Sequence, residues 1–377
     1  MKRDEMVVTG GVGRGTVDID ALNRLAINGL AAMFDTGDQL FCFRLKAQGS
    51  QVSREGLSRR YTIMSLLGLW QAERKGLQSP VPIQNVLNGL INHTTWIDNL
   101  GDLGLLVWLC ALVAPDRLAA TCAGFAVNDA LTRYPDARER RTMELAWFLT
   151  GLSHAIVALP AIRFELADVT VRTYQVLYAN QGAHGIFGHL ASSRTVGGRL
   201  RGSIGSFADQ VYPIYALTRF AQACEAREAL DRARRCADAI CKVQGPLGQW
   251  WWHYNASTGK VAQRYPVYAV HQDAMAPMAL FAVGEAAGLD YGEPIYKGLD
   301  WISGNNELNR DFRDTPAGLV WRSIYRPKGW KKHWDEVREF LGVGSEQASL
   351  PDLKMLFECR PYHLGWLLYA FAGRDCE

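Results

Sequence analysis

The feature that most constrains this chain is an alternation that recurs six times, a helix-period segment with one polar face followed by a helix-period segment that is apolar all round. The pairs run over 18–35 with 60–73, 81–96 with 99–114, 116–134 with 143–159, 167–181 with 207–223, 227–244 with 266–286, and 292–308 with 360–373. In the first segments apolar residues recur at intervals of three and four, as in IDALNRLAINGLAAMFD, where Asp18 is placed to cap. The second segments, such as NLGDLGLLVWLCALVA and HQDAMAPMALFAVGEA, have no polar stripe. A helix of that kind is buried on every side. Six half-exposed helices around six buried ones make two concentric rings, so the expected fold is all-α: six helical hairpins closed into a toroid, with short β-hairpins in the links. Residues 1–17 read as a flexible N-terminal arm and 18–377 as one domain.

Composition narrows the function classes. Of 377 residues, 48% are hydrophobic and 21% charged, the balance of an ordinary globular protein. A net charge of +3 is too small to suggest a nucleic-acid surface. No apolar run has signal-peptide character or bilayer-spanning length, so a cytoplasmic location without a transmembrane segment is expected. The 8 cysteines are scattered through the chain and read as reduced thiols. Cys236 and Cys241 do not share a helical face, and no CxxC or HExxH spacing offers a metal site. GGVGRG near the N-terminus neither matches GxGxxG nor precedes GK[ST]. No metal and no organic cofactor is called for; the expected partner is a small-molecule or oligosaccharide substrate, with the oligomeric state left open.

The links 36–59, 182–206, 245–265 and 309–359 hold most of the unusual polar and aromatic residues, where binding groups on a rigid scaffold usually sit. Four constellations stand at or beside entrances to the apolar helices. In Tyr265-Pro-Val-Tyr268-Ala-Val-His271-Gln272-Asp273, the residues Tyr268, His271 and Gln272 are three or four apart and are expected on one helical face. Asp273 is either an acid/base group or a helix cap. Phe207-Ala-Asp209-Gln210-Val-Tyr212-Pro-Ile-Tyr215 echoes that stretch, and Asp209 and Asp273 across a funnel would suit glycoside hydrolysis. The alternative for Asp209 is again N-capping.

Glu358-Cys-Arg360-Pro-Tyr362-His363 opens the last apolar helix. Its arginine suits a uronate carboxylate and its Tyr362 or His363 a proton alpha to it, unless the group merely seals the ring by an ion pair. Arg322 and Arg264 are lesser members of the same set. Asn99-Leu-Gly-Asp102 with Arg60-Tyr61 adds a fourth group, in which Asp102 is a pocket carboxylate or a cap. The aromatic residues Trp250, Trp251, Trp252, Tyr254 and Trp321, with His253 and Tyr265 beside them, can stack on a pyranose ring or line an apolar cavity. Consecutive tryptophans face opposite ways, so some of them must enter packing.

The six-pair alternation resembles the (α/α)6 toroids, a superfamily that includes six-hairpin glycosidases, N-acylglucosamine 2-epimerase type isomerases, several polysaccharide lyases and the terpene cyclase toroids. Gln244-GPL-Gly248-Gln-Trp250 matches the Q-x(2–5)-G-x-W repeat of triterpene cyclases, and Gln181-GAH-Gly185-Ile-Phe187 looks like a degenerate second copy. The resemblance implies a structural role for these repeats, tying an outer helix end to its neighbour. The cyclase DxDD motif is absent; Asp18-Ile-Asp20 is the nearest string. Aromatic rings mixed with Gln, His and Arg favour a carbohydrate-active enzyme, by hydrolysis, elimination or epimerisation, with Asp273 and Asp209 or the Tyr and His groups as acid and base. The alternatives are a terpene cyclase-like or prenyl-binding toroid and a non-catalytic binding toroid.

Overall fold

The computed structural model describes residues 17–48, 51–190, 202–327 and 353–374. The expected arm therefore lies outside the described residues, except for Val17. Six helical hairpins follow in chain order. Helix α1 (Ile19–Met33) pairs with α2 (Arg59–Arg74), and α3 (Ile83–Asn92) with α4 (Leu100–Val113). The third hairpin has a broken outer arm, α5 (Leu118–Gly124), α6 (Ala130–Arg133) and α7 (Pro135–Glu139), before α8 (Thr142–Ala158). Then come α9 (Arg163–Tyr178) with α10 (Ala208–Cys224), α11 (Arg227–Lys242) with α12 (Ala276–Ala287), and α13 (Gly292–Ile302) with α14 (Pro361–Phe371).

The second helix of each pair is inside. Consecutive inner helices touch all the way round, and α14 closes on α2. Their composition explains the placement: in α4 the side chains of Leu103, Leu105, Leu106 and Leu109 expose no surface, each burial worth about 1.5–3 kcal/mol. Glycine lets two of the crossings come close. A Cβ on Gly68 would stand 2.0 Å from the carbonyl oxygen of Gly365, and one on Gly151 would stand 2.3 Å from that of Gly104.

Two segments depart from the periodicity. The outer stretch 116–134 is not one helix, because Ala126 adopts a left-handed φ of 47° and prolines 115 and 135 punctuate either side. At the fifth inner entrance, Tyr268 ends strand β7 of the link sheets, a single π-helical turn spans His271–Met275, and α12 starts only at Ala276. Pro277 has no N–H to give the carbonyl four residues back, which loosens that turn.

The links carry antiparallel strands: β1 (Phe34–Asp35), β2 (Leu40–Gln48), β3 (Gln51–Leu57), β4 (Ile204–Ser206), β5 (His253–Asn255), β6 (Lys260–Gln263), β7 (Val267–Tyr268), β8 (Arg313–Asp314), β9 (Leu319–Val320), β10 (Ser323–Tyr325), β11 (Lys354–Leu356) and β12 (Glu358–Cys359). β12 pairs with β2, setting Glu358 opposite Lys46, so the last link lies on the first. β10 runs between β7 and β11, and β5 between β4 and β6. Because these links lead into inner helices, they gather at the N-terminal end of the inner ring. No single helix among the described residues is long and apolar enough to cross a membrane.

Candidate active site

At that end a belt of side chains runs from helix to helix. Arg60 of α2 donates to both oxygens of Asp102 on α4, at 2.5 and 3.1 Å. Asn99 caps α4 by accepting from the Asp102 N–H at 2.8 Å and gives its own amide to the carboxylate at 2.6 Å. Asp102 is thus an ion-pair partner and Asn99 the cap. The Arg60 guanidinium also lies over the Trp147 ring of α8, 5.5 Å from its centroid, and Trp147 meets Tyr212 of α10 edge-on at 5.0 Å. The Trp366 Nε1–H of α14 donates to the Tyr212 hydroxyl at 3.0 Å, and Tyr362 packs on Tyr61 at 4.7 Å, which returns the belt to α2.

The strongest charge feature is Glu358, 4% exposed, with three arginines on its two oxygens. Arg360 Nε approaches Oε1 at 2.6 Å, Arg322 reaches the same oxygen at 3.3 Å, and Arg44 of β2 reaches Oε2 at 2.8 Å. Burial alone would raise the Glu358 carboxyl, but Arg360, Arg322 and Arg44 outweigh it and hold the group below the usual carboxylate range. Arg360 also donates to the Tyr61 hydroxyl at 2.8 Å and lies over Phe43, while Arg322 lies over Tyr268. The expected ring-sealing ion pair and the expected cationic surface are therefore the same object. Burial pushes the Tyr268 phenol up, against the pull of Arg322, so at neutral pH Tyr268 is a hydrogen-bond donor and not a base.

Asp209 and Asp273 do not form a bare facing pair; each holds a histidine. Asp273, fully buried, meets His363 Nε2 at 2.7 Å, and His363 is only 3% exposed. The pair locks α14 to the π turn from inside the wall. Asp209, 1% exposed, forms a reciprocal cap with Ser206: the Ser206 N–H donates to Oδ2 at 2.8 Å and the Asp209 N–H donates to the Ser206 hydroxyl at 3.2 Å. The same Oδ2 stands 3.2 Å from Nδ1 of His189, whose side chain is 43% exposed. The bond to Asp209 raises the His189 pKa, with burial opposing and the charges of Asp209 and Glu144 adding to it. Neither His189 nor Glu144, buried on the first turn of α8, was singled out by sequence; His189 follows Phe187 by two residues, at the end of the second Q-G-F repeat.

The expected common face of Tyr268, His271 and Gln272 does not form, because β7 and the π turn replace the helix there. His271 sits in a cage of Phe207, Trp252 and Tyr268 with centroids 4.6, 6.1 and 5.2 Å away. Burial drives its pKa down to about 3, so it is neutral and no proton carrier near pH 7. Gln272 and Gln210 face backbone, not the mouth. Gln210 gives its amide to the carbonyls of Phe187 and Ser206 and accepts from the Phe187 N–H, at 2.9, 3.0 and 2.8 Å. Gln272 treats Trp250 and Tyr268 in the same way.

The tryptophan run does not alternate: the adjacent Trp250 and Trp251 are both buried. Trp250 and Tyr254 are fully buried, Trp251 donates through Nε1 to the Val243 carbonyl at 3.0 Å, and Trp252 stays half-buried beside Tyr268. His253 bonds Gln263 at 2.7 Å, and burial lowers its pKa. Tyr265 turns to Glu307, Arg264 is exposed over Trp251, and Trp321 is 8% exposed against Phe357. These three do not join the arginine cluster.

This is an (α/α)6 toroid. Solved structures similar to this toroid include a possible member of the GH105 family from Klebsiella pneumoniae, with a TM-score of 0.60 and 11% identity over 98% of this chain and 94% of that one. An unsaturated glucuronyl hydrolase specific for heparin matches at a TM-score of 0.58 and 12% identity, over 94% of this chain and 96% of the other. A sugar epimerase from a ruminal bacterium matches at 0.62 and 9%, over 95% and 100%. No protein-family model matches the toroid's sequence, and no curated protein matches it.

Proposed function

We propose that this protein is a carbohydrate-active enzyme that takes an acidic sugar, a uronate alone or at the end of an oligosaccharide, into the mouth of the toroid. The observation that carries the reading is the arginine cluster. Three guanidiniums share one buried glutamate, Arg44 also pairing with Glu55 at 2.6 Å, and leave a surplus of one positive charge beside the flat rings of Phe43, Tyr61, Tyr268 and Trp252. Guanidinium matches a carboxylate in a fork, and aromatic faces cover the apolar side of a pyranose. The similar structures, glucuronyl hydrolases and a sugar epimerase, support the same substrate class. A cavity that guides carbocations would instead be dry and apolar.

His189 is the proton-exchanging group in this reading. With Nδ1–H directed to Asp209, its Nε2 is the nitrogen left to face substrate, and Asp209 is a positioning residue that favours the imidazolium. Asp273, His363 and His271 support the wall. The assay incubates the protein with unsaturated glucuronyl disaccharides, saturated uronate oligosaccharides and neutral sugars, following double-bond loss, new reducing ends and epimer signals by NMR. Turnover of a uronate is expected, with His189→Gln lowering kcat by about 10²–10⁴-fold and Arg322→Gln acting mainly on KM. Turnover of neutral sugars alone, or an unchanged kcat in His189→Gln, would sink the proposal.

A further inference from the structure

The opposite end of the toroid holds a cavity of about 250 Å³ between the C-terminal halves of the inner helices. Its floor is Tyr215 and Tyr369, whose hydroxyls lie 2.7 Å apart. Behind them Trp108 stacks on Tyr215 and on Trp366, which separates this space from the uronate mouth.

Three arginines line the cavity against a single glutamate, Glu285, a surplus of two positive charges. His154 adds none, since burial and then Arg219 drive its pKa down to about 3. Helix C-termini attract cations, and that accounts for two of the arginines. Arg374 pairs with Glu285 and donates to the Ala370 carbonyl at 2.9 Å, and Arg74 lies exposed over Trp70. Arg219 is different. It stands more than a turn inside α10, and no carboxylate among the described residues pairs with it. One nitrogen donates to the Gln222 side chain at 2.9 Å, but its buried Nε has no hydrogen-bond partner, nor has Nε2 of His154. Only the Arg219 Nε is shut away: the side chain is half-buried, the guanidinium lies 4.7 Å over the Tyr215 ring and the charge of Glu285 favours its cationic form, which leaves its outer nitrogens free to take a further acceptor from the cavity.

We propose that this cavity is a second ligand site, for a small organic anion whose acidic group sits on Arg219 and whose ring lies against Trp70, Tyr215 and Tyr369. The volume falls just below the roughly 300–1,000 Å³ of common ligand pockets, so it suits a one-ring molecule and not an oligosaccharide. The acidic group is a carboxylate or a phosphate, two sources that the probes must separate.

The test is calorimetric titration of the full chain with benzoate, glucose 6-phosphate and inorganic phosphate, leaving out uronates because the mouth is proposed to take them. Saturable binding of at least one ring-bearing anion is expected, with the acid group read from which probe binds. Arg219→Gln should weaken it by about tenfold or more, Arg219→Lys by less, and Arg322→Gln at the mouth not at all. Without ligand, Arg219→Gln should change Tm little, because the half-buried guanidinium holds no direct ion pair there. Should that variant fold poorly, Arg74→Gln on the exposed rim should still weaken binding severalfold. Failure of every probe to bind, equal affinity in Arg219→Gln, or loss of binding in Arg322→Gln instead, overturns the proposal.

Discussion

The entrances to the fourth and fifth inner helices are built on one plan and filled with different chemistry. In the fourth, the Gln181 amide donates to the carbonyls of Gly185 and of Arg232 on the next outer helix, at 3.0 and 2.9 Å. In the fifth, Gln244 does the same to Gly248 and Pro294 at 3.0 and 2.9 Å. Gly185 and Gly248 both have a left-handed φ, 87° and 96°, and a Cβ on either would strike a carbonyl of the neighbouring outer helix. Gln210 then clamps Phe187 as Gln272 clamps Trp250. In that register His189 corresponds to Trp252 and Asp209 to His271. One scaffold position thus carries a half-exposed histidine on a buried aspartate, and its counterpart carries a ring on a neutral imidazole. The repeat conserves backbone support and leaves the mouth-facing position free to vary.

Cutting the shared support should have the largest effect. Gln272→Ala or Gln210→Ala strips partners from a buried N–H and two carbonyls, so each should cost about 3 kcal/mol in urea unfolding, and by similar amounts. A loss under 1 kcal/mol in one variant only would break the equivalence of the two modules.

The counterpart pair separates next on acidification. His271, with a folded pKa near 3, stays neutral where the unfolded chain takes up a proton below about pH 6.5. Stability is therefore lost as pH falls from about 6.5 towards 3, at up to about 1.4 kcal/mol per pH unit, with His154 acting in the same direction. His271→Phe, a ring that fits the cage of Phe207, Trp252 and Tyr268, should flatten that limb by about 1 kcal/mol per unit. Parallel limbs in wild type and variant would mean that the imidazole is not held neutral.

The toroid was legible because ring closure needs a periodic pattern, and period survives in one dimension. The Q-G-W strings were legible because Gln and Gly have fixed backbone duties at fixed spacing. Which side of a helix entrance faces the mouth was not, since that depends on where the π turn before Pro277 and strand β7 end the regular helix. Gln210 and Gln272 looked like binding groups for this reason. Arg44 and Phe43 went unnoticed because β2 reaches the mouth only through its hairpin with β3 and its pairing with β12. His189 left one signal, the register of the two repeats, which becomes readable only when Phe187 and Trp250 are set opposite each other.

The smallest expected effect has the opposite sign. Asp209 raises the folded pKa of His189, so the stabilisation this pair contributes is fully present below the unfolded value of about 6.5 and is lost as pH rises through the folded one. Solvent reaches 43% of the His189 side chain, so screening keeps the contribution well under about 1 kcal/mol. The difference in unfolding midpoint between wild type and His189→Gln should therefore shrink as pH rises above about 6.5, while that between wild type and His271→Phe changes on the acid side. An NMR titration that placed His189 below 6.5 would mean Asp209 does not favour its imidazolium. The fourth entrance would then be, like the fifth, a wall without a proton to give.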